Sequence, residues 1–384
     1  MIRRCIQINL QPGWGGGEIY TVFFTRALLA QGVPTTLYVL RDNTRWTSEL
    51  PPGVDIVPVA GAAEMLTSLQ ACEAPWVVCQ TPLDLPALEV LRHPRRLLSC
   101  IAHMPLYGRD PRRIAGHDYV IAVSAHVIAS LQAAGISQVH PEPLLGIADL
   151  APRPAGDAAS GVVRRSRYDW DMRKGRDRLL SWLAPLAASF ARAEAYRKKP
   201  GITLGIVSRL TPIKQFPLLF SLLAPVLARH PDVHLEIFGA GGYASVRDLD
   251  AALRPCRRQV RFWGQQPDVA AVYRQIDYLL TGLPEKEALG LNVIEAQACG
   301  TPVLAVDASP FTETVCAGVS GLFFEDPRHD GGASFDALIT RLERQAFRID
   351  PEAARDHLAR FSAEAFAQRV GRLCTAVNNK GVPG

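Results

Sequence analysis

Short apolar runs of four to six residues alternate with longer amphipathic stretches along almost the whole chain. Strands of a parallel sheet read as continuous apolar runs because helices cover both faces of such a sheet. The stretches between the runs are long enough for the connecting helices. This pattern predicts an α/β fold with two doubly wound halves, and we find no fixed period of the kind that marks a repeat protein.

The predicted elements are spread evenly over both halves of the chain. In the first half the predicted strands are 4–9, 35–40, 54–59, 76–80, 97–102 and 119–123, with helices at 18–30, 63–71 and 125–134. In the second half the predicted strands are 202–207, 233–238, 260–263, 277–280, 302–306 and 321–324, with helices at 217–228, 245–253, 268–275, 291–299 and 311–317.

The boundary between the halves is expected where prolines and glycines cluster, between Pro152 and Gly161. We therefore predict four parts. They are an N-terminal Rossmann-like domain (1–150), an interdomain linker or insertion (151–200), a second Rossmann-like domain (201–360) and a C-terminal helix (361–384) that packs back on the first domain.

Composition limits the function classes. With 384 residues the chain is too long for one ordinary core, and a net charge of +5 argues against a dedicated nucleic-acid binder. Its eight cysteines form no Cys-x-x-Cys pair, which argues against zinc and dithiol chemistry and favours a reducing compartment. The N-terminus lacks a signal-like apolar segment and no apolar run reaches the roughly 18–20 residues of a membrane span, so we expect a cytoplasmic protein.

Two glutamates give the most informative local pattern. Glu287 and Glu295 are separated by seven residues, and the periodicity places Glu287 in a loop and Glu295 about one turn inside the next helix. The free backbone N–H groups of the first turn, at Leu289, Gly290 and Leu291, would form an anion site between the two carboxylates. Such an arrangement suits a sugar nucleotide, and the alternative is a solvated helix face with two unrelated acids.

Further candidates follow other predicted strands. Arg209 and Lys214 come after the first strand of the second half, where doubly wound sheets bind ligands, and two cations there can neutralise a diphosphate. Gly239 follows the next strand and would allow a ribose or base to approach closely. For both segments the alternative is an ordinary surface loop.

The first half offers a glycine turn and a histidine. Gly16 and Gly17 precede the first predicted helix, where backbone N–H groups can approach a phosphate or sugar. The turn lacks the third glycine of a dinucleotide fingerprint, and a plain tight turn is the alternative. His103 ends a predicted strand and either faces a ligand site or is structural.

From about residue 201 to 326 these segments together resemble the retaining glycosyltransferases of family 4. The resemblance rests on Ser-Arg-Leu-x-x-x-Lys, Phe-Gly-x-Gly, Val-Arg-Phe-Trp-Gly and, above all, Glu-Ala-Leu-Gly-Leu-Asn-Val-Ile-Glu-Ala-Gln-Ala-Cys-Gly-Thr-Pro-Val. It implies a GT-B architecture, in which two Rossmann-like domains face each other across the active-site cleft. Gln215 departs from the family, which usually has glycine after the basic lysine.

The resemblance also implies roles for single residues. Glu287 would contact hydroxyls of the donor sugar and Glu295 the ribose of the nucleotide. Arg209 and Lys214 would bind the diphosphate. His103 would lie near the donor sugar, and Gly16 and Gly17 near the phosphate.

On this basis we predict a retaining glycosyltransferase that moves a sugar from a nucleoside-diphosphate sugar to a hydroxyl of a saccharide or lipid-linked saccharide. Two alternatives stay open: a sugar-nucleotide 2-epimerase of the same architecture, and a non-catalytic nucleotide-binding partner protein.

No cofactor or metal is expected, and we interpret the Asp-x-Asp pattern at Asp169 and Asp171 as chance. The basic and apolar segment 164–199 suggests a peripheral membrane contact at the inner face, with a packed linker as the alternative.

Overall fold

Alternating strands and helices build two units, each around its own parallel sheet. The computed structural model describes residues 2–72, 75–148, 161–169 and 194–380. One unit comprises Met1–Ala148 with Ala359–Gly384, and the other comprises Asp149–Leu358.

The first unit has six parallel strands in the order β3-β2-β1-β4-β5-β6. This is the Rossmann order, in which the connections reverse direction between β1 and β4 and leave a ligand crevice at the carboxyl ends of the strands. The strands are β1 (Cys5–Asn9), β2 (Thr35–Leu40), β3 (Asp55–Val59), β4 (Trp76–Cys79), β5 (Leu97–Ala102) and β6 (Tyr119–Ala122). The helices are α1 (Gly16–Ala30), α2 (Trp46–Glu49), α3 (Ala62–Gln70), α4 (Leu85–Leu91), α5 (Arg112–Ala115) and α6 (Ala125–Ala133).

The second unit repeats this topology in the order β12-β11-β10-β7-β8-β9. Its strands are β7 (Ile202–Val207), β8 (Val233–Phe238), β9 (Val260–Phe262), β10 (Tyr278–Leu280), β11 (Val303–Val306) and β12 (Gly321–Phe324). Its helices are α7 (Phe216–Leu227), α8 (Tyr243–Ala252), α9 (Val269–Tyr273), α10 (Leu291–Ala298), α11 (Phe311–Thr314), α12 (Pro327–Asp330), α13 (Ala333–Arg344) and α14 (Pro351–Ala359), with 3-10 turns at Pro212–Lys214 and Arg254–Gln259.

The last helix, α15 (Ala363–Asn379), belongs to the first unit. Ser362 caps it by accepting a hydrogen bond from Ala365 N, as serine commonly does at helix starts. The helix packs on α1, where the rings of Tyr20 and Phe366 meet edge to face with centroids 5.5 Å apart. These contacts join the end of the chain to its beginning.

The predicted α/β fold with two Rossmann-like halves is confirmed. The twelve predicted strands all occur among the described residues, and their ends differ from the prediction by no more than one residue. Helix α1 begins two residues earlier than predicted, at Gly16, so both glycines of the predicted turn lie in its first turn. The short helices α2 and α5 were not predicted because four residues show no helical periodicity.

The described part of the segment between the halves packs on the second unit. Arg165 N donates to Trp263 O at 2.9 Å, and Tyr168 forms a parallel bridge with Gly241. The predicted membrane contact at 164–199 lies partly outside the described residues, which omit 170–193. Within the described part, Arg164 pairs with Glu194 at 2.8 Å. Among the described helices none combines the length and apolar character needed to cross a bilayer.

Candidate functional site

The loop after β7 carries the two predicted cations to the carboxyl edge of the second sheet. Arg209 follows the strand by two residues and its side chain is exposed. Lys214 ends the 3-10 turn, and Gln215 then takes a left-handed conformation at φ 54° before α7 begins. Glycine adopts this conformation without strain. The backbone at position 215 therefore favours the glycine that the family 4 glycosyltransferases usually have there, although this chain has Gln215.

Lys214 and Glu287 meet across this edge. Lys214 Nζ forms an ion pair and hydrogen bond with Glu287 Oε2, and both side chains are largely shielded from solvent. Glu287 Oε1 also accepts from the N–H of Ala288 at 3.2 Å. A residue predicted to bind the diphosphate and one predicted to bind the sugar are therefore direct partners.

Helix α10 starts directly behind Glu287. Gly290 is its N-cap at φ 78°, and a Cβ there would approach Val293 Cγ2 to 2.9 Å, so the turn requires glycine. Within the described residues, no hydrogen bond uses the backbone N–H groups of Leu289, Gly290, Leu291 or Asn292. These N–H groups and the helix dipole make the start of α10 suitable for an anion.

Glu295 lies one turn into α10 and is half-buried. Its Oε2 accepts a hydrogen bond from the hydroxyl of Tyr273 at 2.9 Å. Burial raises the pKa of Glu295 to about 7, although the hydrogen bond from Tyr273 acts in the opposite direction. The carboxyl group therefore changes its charge near neutral pH, as ligand-binding acids often do.

A cavity of about 150 Å³ lies between the loops after β7, β8 and β9 and the start of α10. Arg209 and Glu295 both line it, as does Asn292, which donates to Val207 O at 3.1 Å and so ties α10 to β7. Gly239 lines it too, but a Cβ there would lie 1.8 Å from Ser208 O. The close approach of two loops thus requires glycine at 239, and its contact with a donor stays a prediction.

A neighbouring segment supplies Arg209 with a counter-ion. Asp169 Oδ2 lies 3.7 Å from Arg209 Nη2, and both side chains are more than half exposed. Asp169 N also donates to Gly241 O at 2.9 Å, which holds this part of the chain on the loop after β8. Asp169 thus has a partner in this site, while Asp171, the other acid of the Asp-x-Asp pattern, lies outside the described residues.

An ion-pair cluster fixes the loop that bears Glu287. Arg328 binds Glu285 through both terminal nitrogens and also pairs with Asp326, the N-cap of α12. Glu285 is two residues before Glu287. The cluster therefore joins the Glu287 loop to the end of β12 and limits its freedom.

The first unit carries the candidates His103, Gly16 and Gly17. His103 directly follows β5, and its ring meets that of Tyr20 edge to face at 5.0 Å. Tyr20 lies one turn beyond Gly16 and Gly17 on α1, and a Cβ on Gly17 would meet no atom within 4 Å. Burial lowers the pKa of His103 to about 4, so the imidazole is neutral at pH 7.

Besides the contact of Lys214 with Glu287, three contacts of the site were not predicted from the sequence. They involve Tyr273 on Glu295, Asp169 on Arg209 and Arg328 on Glu285. None of these partners lies within 20 residues of the side chain it contacts, and a single sequence carries no signal for such pairs. Groups of three or more metal-binding side chains are absent from the part of the chain that the structure describes.

Residues 189–350 match the family model described as glycosyl transferases group 1. Among curated proteins, the D-inositol 3-phosphate glycosyltransferase of Corynebacterium jeikeium is 34% identical over 196 residues, which cover 47% of this chain and 46% of that protein. The protein of the same name from Frankia alni is 27% identical over 369 residues, covering 87% and 88%. The chain spans about half the length of the first curated relatives that it matches.

Solved structures match over nearly the whole chain. HepE of Anabaena, in complex with UDP and glucose, aligns with a TM-score of 0.70 at 17% identity, covering 97% of this chain and all of that one. Sucrose-phosphate synthase of Thermosynechococcus elongatus aligns with a TM-score of 0.68 at 18% identity, covering 98% and 100%. At this identity the likeness defines the fold, which is of the GT-B type.

Proposed function

We propose that this protein is a retaining glycosyltransferase of family 4 type that uses a nucleoside-diphosphate sugar as donor. The observation that carries the proposal is the grouping of Arg209, Lys214, Glu287 and Glu295 around the start of α10. Cations and free N–H groups suit a diphosphate, and the two carboxylates suit sugar and ribose hydroxyls. The names of the curated relatives and the UDP in HepE support the same substrate class.

The proposed chemistry needs charge stabilisation and positioning more than a reactive side chain. The acceptor hydroxyl attacks the anomeric carbon on the face that the diphosphate leaves, the bond to the diphosphate breaks, and a leaving phosphate oxygen takes the acceptor proton. Arg209, Lys214 and the N–H groups of α10 would stabilise the charge that develops on that phosphate. Glu287 would hold the sugar, and its pairing with Lys214 would keep its carboxylate oriented.

We further propose that the reaction needs no metal ion, because these cations take the part that a divalent ion plays in other transferases. The acceptor we propose is a hydroxyl of a saccharide or lipid-linked saccharide. Unchanged activity in excess EDTA is the expected result. Loss of activity in EDTA with recovery on adding Mg²⁺ or Mn²⁺ would contradict the metal-free part of the proposal.

Calorimetry with UDP, GDP, ADP and their common sugar conjugates tests the donor site directly. We expect one nucleotide to bind and its sugar conjugate to bind at the same site. Incubation of that conjugate with hydroxyl acceptors should then release the diphosphate and form a product that keeps the anomeric configuration of the donor. Conversion of the sugar nucleotide without any acceptor would instead indicate an epimerase, and binding without turnover would indicate a non-catalytic protein.

A further inference from the structure

A chain of buried hydrogen bonds crosses three neighbouring strands of the first sheet and ends at His103. The side chains involved are Gln7 on β1, Gln80 directly after β4 and Thr25 on α1. Gln7, Gln80 and Thr25 are almost fully buried. Buried polar groups of this kind are costly unless each is satisfied, so the direction of every bond in the chain matters.

The direction is set at the end that lies farthest from His103. Thr25 Oγ1 lies 2.8 Å from Thr21 O, and a main-chain carbonyl can only accept, so the hydroxyl proton of Thr25 points to Thr21. The oxygen of Thr25 then accepts from Gln7 Nε2 at 2.7 Å. This contact fixes the orientation of the Gln7 amide and leaves its Oε1 as an acceptor.

The same logic continues to the histidine. Gln7 Oε1 accepts from Gln80 Nε2 at 2.8 Å, which turns Gln80 Oε1 toward His103 Nε2 at 2.9 Å. An amide oxygen only accepts, so His103 Nε2 must carry the proton. In a neutral imidazole the other nitrogen, Nδ1, then has the lone pair, and no hydrogen bond within the described residues engages it.

We propose that Gln80 is a positioning residue that holds His103 as the Nε2–H tautomer, so that Nδ1 accepts a hydrogen bond from a substrate hydroxyl. The substrate part of this inference rests on the proposed function, in which donor and acceptor both carry hydroxyl groups. The neutral state that the tautomer requires agrees with the lowered pKa of this histidine, which burial brings to about 4. An imidazolium would donate from both nitrogens and could not accept at Nδ1.

The tautomer can be read by NMR on the full-length protein with isotope-labelled histidine. The resonances of His103 are assigned by their absence in His103→Asn. We expect a single neutral Nε2–H form from pH 6 to 8 in the wild type and in Thr25→Ser, which keeps the hydroxyl. Thr25→Val and Gln80→Leu each remove one polar side chain from the hydrogen-bond chain and should each give a mixture of His103 tautomers. A wild-type spectrum with the Nδ1–H form or an imidazolium at pH 7 overturns the inference.

The positioning role has a separate kinetic readout. Gln80→Leu should lower kcat about tenfold, the loss expected for one hydrogen bond to substrate, with a smaller change in KM for the donor. In the His103→Asn background the same substitution should cause little further loss, because Gln80 acts through the imidazole. An equal loss in both backgrounds, or wild-type kcat in Gln80→Leu, overturns the positioning role.

The two readouts also separate this inference from the proposed function. Donor binding and transfer by the wild type test the function, whereas the spectrum tests the tautomer with no substrate present. If Gln80→Leu does not fold, the comparison of Thr25→Ser with Thr25→Val provides the same test from the end of the hydrogen-bond chain that lies farthest from His103. Equal tautomer populations in those two variants would contradict the proposed hydrogen-bond chain.

Discussion

Lys214 and Glu287 form an ion pair that is largely shielded from solvent, at the edge of the second sheet where a diphosphate and a sugar are proposed to bind. The two side chains come from loops more than 70 residues apart in the chain. Each side chain orients the other. A bound donor would therefore meet a cation and a carboxylate that are already oriented, which lowers the cost of organising the site on binding.

This pairing predicts coupled losses of turnover. Lys214→Met and Glu287→Gln should each lower kcat about a hundredfold, since each removes a charged group that acts in the transition state. The double variant should lose at least tenfold less than the product of the two, because each single change already disturbs its partner. Lys286→Met, in the same loop, is the matched control and should stay near wild type. Losses that simply multiply would mean that the two residues act independently.

A second prediction is that Asp169 competes with a bound diphosphate for Arg209. Asp169→Asn should tighten nucleoside diphosphate binding about two- to fivefold in low salt, the range expected for an exposed ion pair. The gain should shrink at 1 M NaCl. Asp250→Asn is the control, because Asp250 pairs with Arg167 of the same segment. Weaker binding in Asp169→Asn would show that the acid orients Arg209 and does not compete for it.

The raised pKa of Glu295 predicts that nucleotide affinity depends on pH. The ribose hydroxyls need a carboxylate acceptor, and with a pKa of about 7 the group is mostly protonated at pH 6 and ionised at pH 8. Affinity should therefore rise with pH and level off above about pH 8. Calorimetry on the wild type and Glu295→Gln isolates this effect, since titration of the phosphate is common to both. Parallel profiles of the two proteins would exclude a role for Glu295 in nucleotide binding.

The same shift predicts an effect on stability. The pKa of Glu295 in the folded protein, about 7, lies above the ordinary value of 4.5, so the folded state binds the proton more tightly than the unfolded state. Stability should therefore fall as pH rises from about 4.5 to 7. Glu295→Gln should leave Tm unchanged near pH 4.5 and raise it by about 2 °C or more at pH 8. Tyr273→Phe, which removes the hydrogen bond to the carboxylate, should lower Tm at pH 8. An equal change in Tm for Glu295→Gln at both pH values would contradict the assignment of the shift.

Much of the fold follows from the sequence because its determinants are local. The run of apolar residues at 202–207 predicts a buried strand, and the periodicity from Leu291 onward predicts the helix that carries Glu295. Once both are assigned, the parallel topology places Arg209 and the start of α10 at the same edge of the sheet. These elements are confirmed by the structure. The ligand roles of the residues on them stay predictions.

The partners of those residues could not be obtained in this way. Tyr273 and Glu295 are 22 residues apart, and Gln80 and His103, which directly follow two neighbouring strands, are 23 residues apart. The registers of β4 against β1 and β5 bring Gln80 between Gln7 and His103. No propensity or periodicity encodes such a meeting, because it depends on how strands from distant parts of the chain align.

Local patterns in the sequence therefore predict two Rossmann-like halves and the strand ends at which charged residues and glycines collect. The pairing of Lys214 with Glu287, the contact of Asp169 with Arg209 and the buried hydrogen bonds that reach His103 are visible only in the folded protein. The difference arises from the sequence separation over which each effect acts. Backbone preference and hydrophobic periodicity act over a few residues, whereas the charge, protonation and orientation of a site depend on groups that folding brings together from afar.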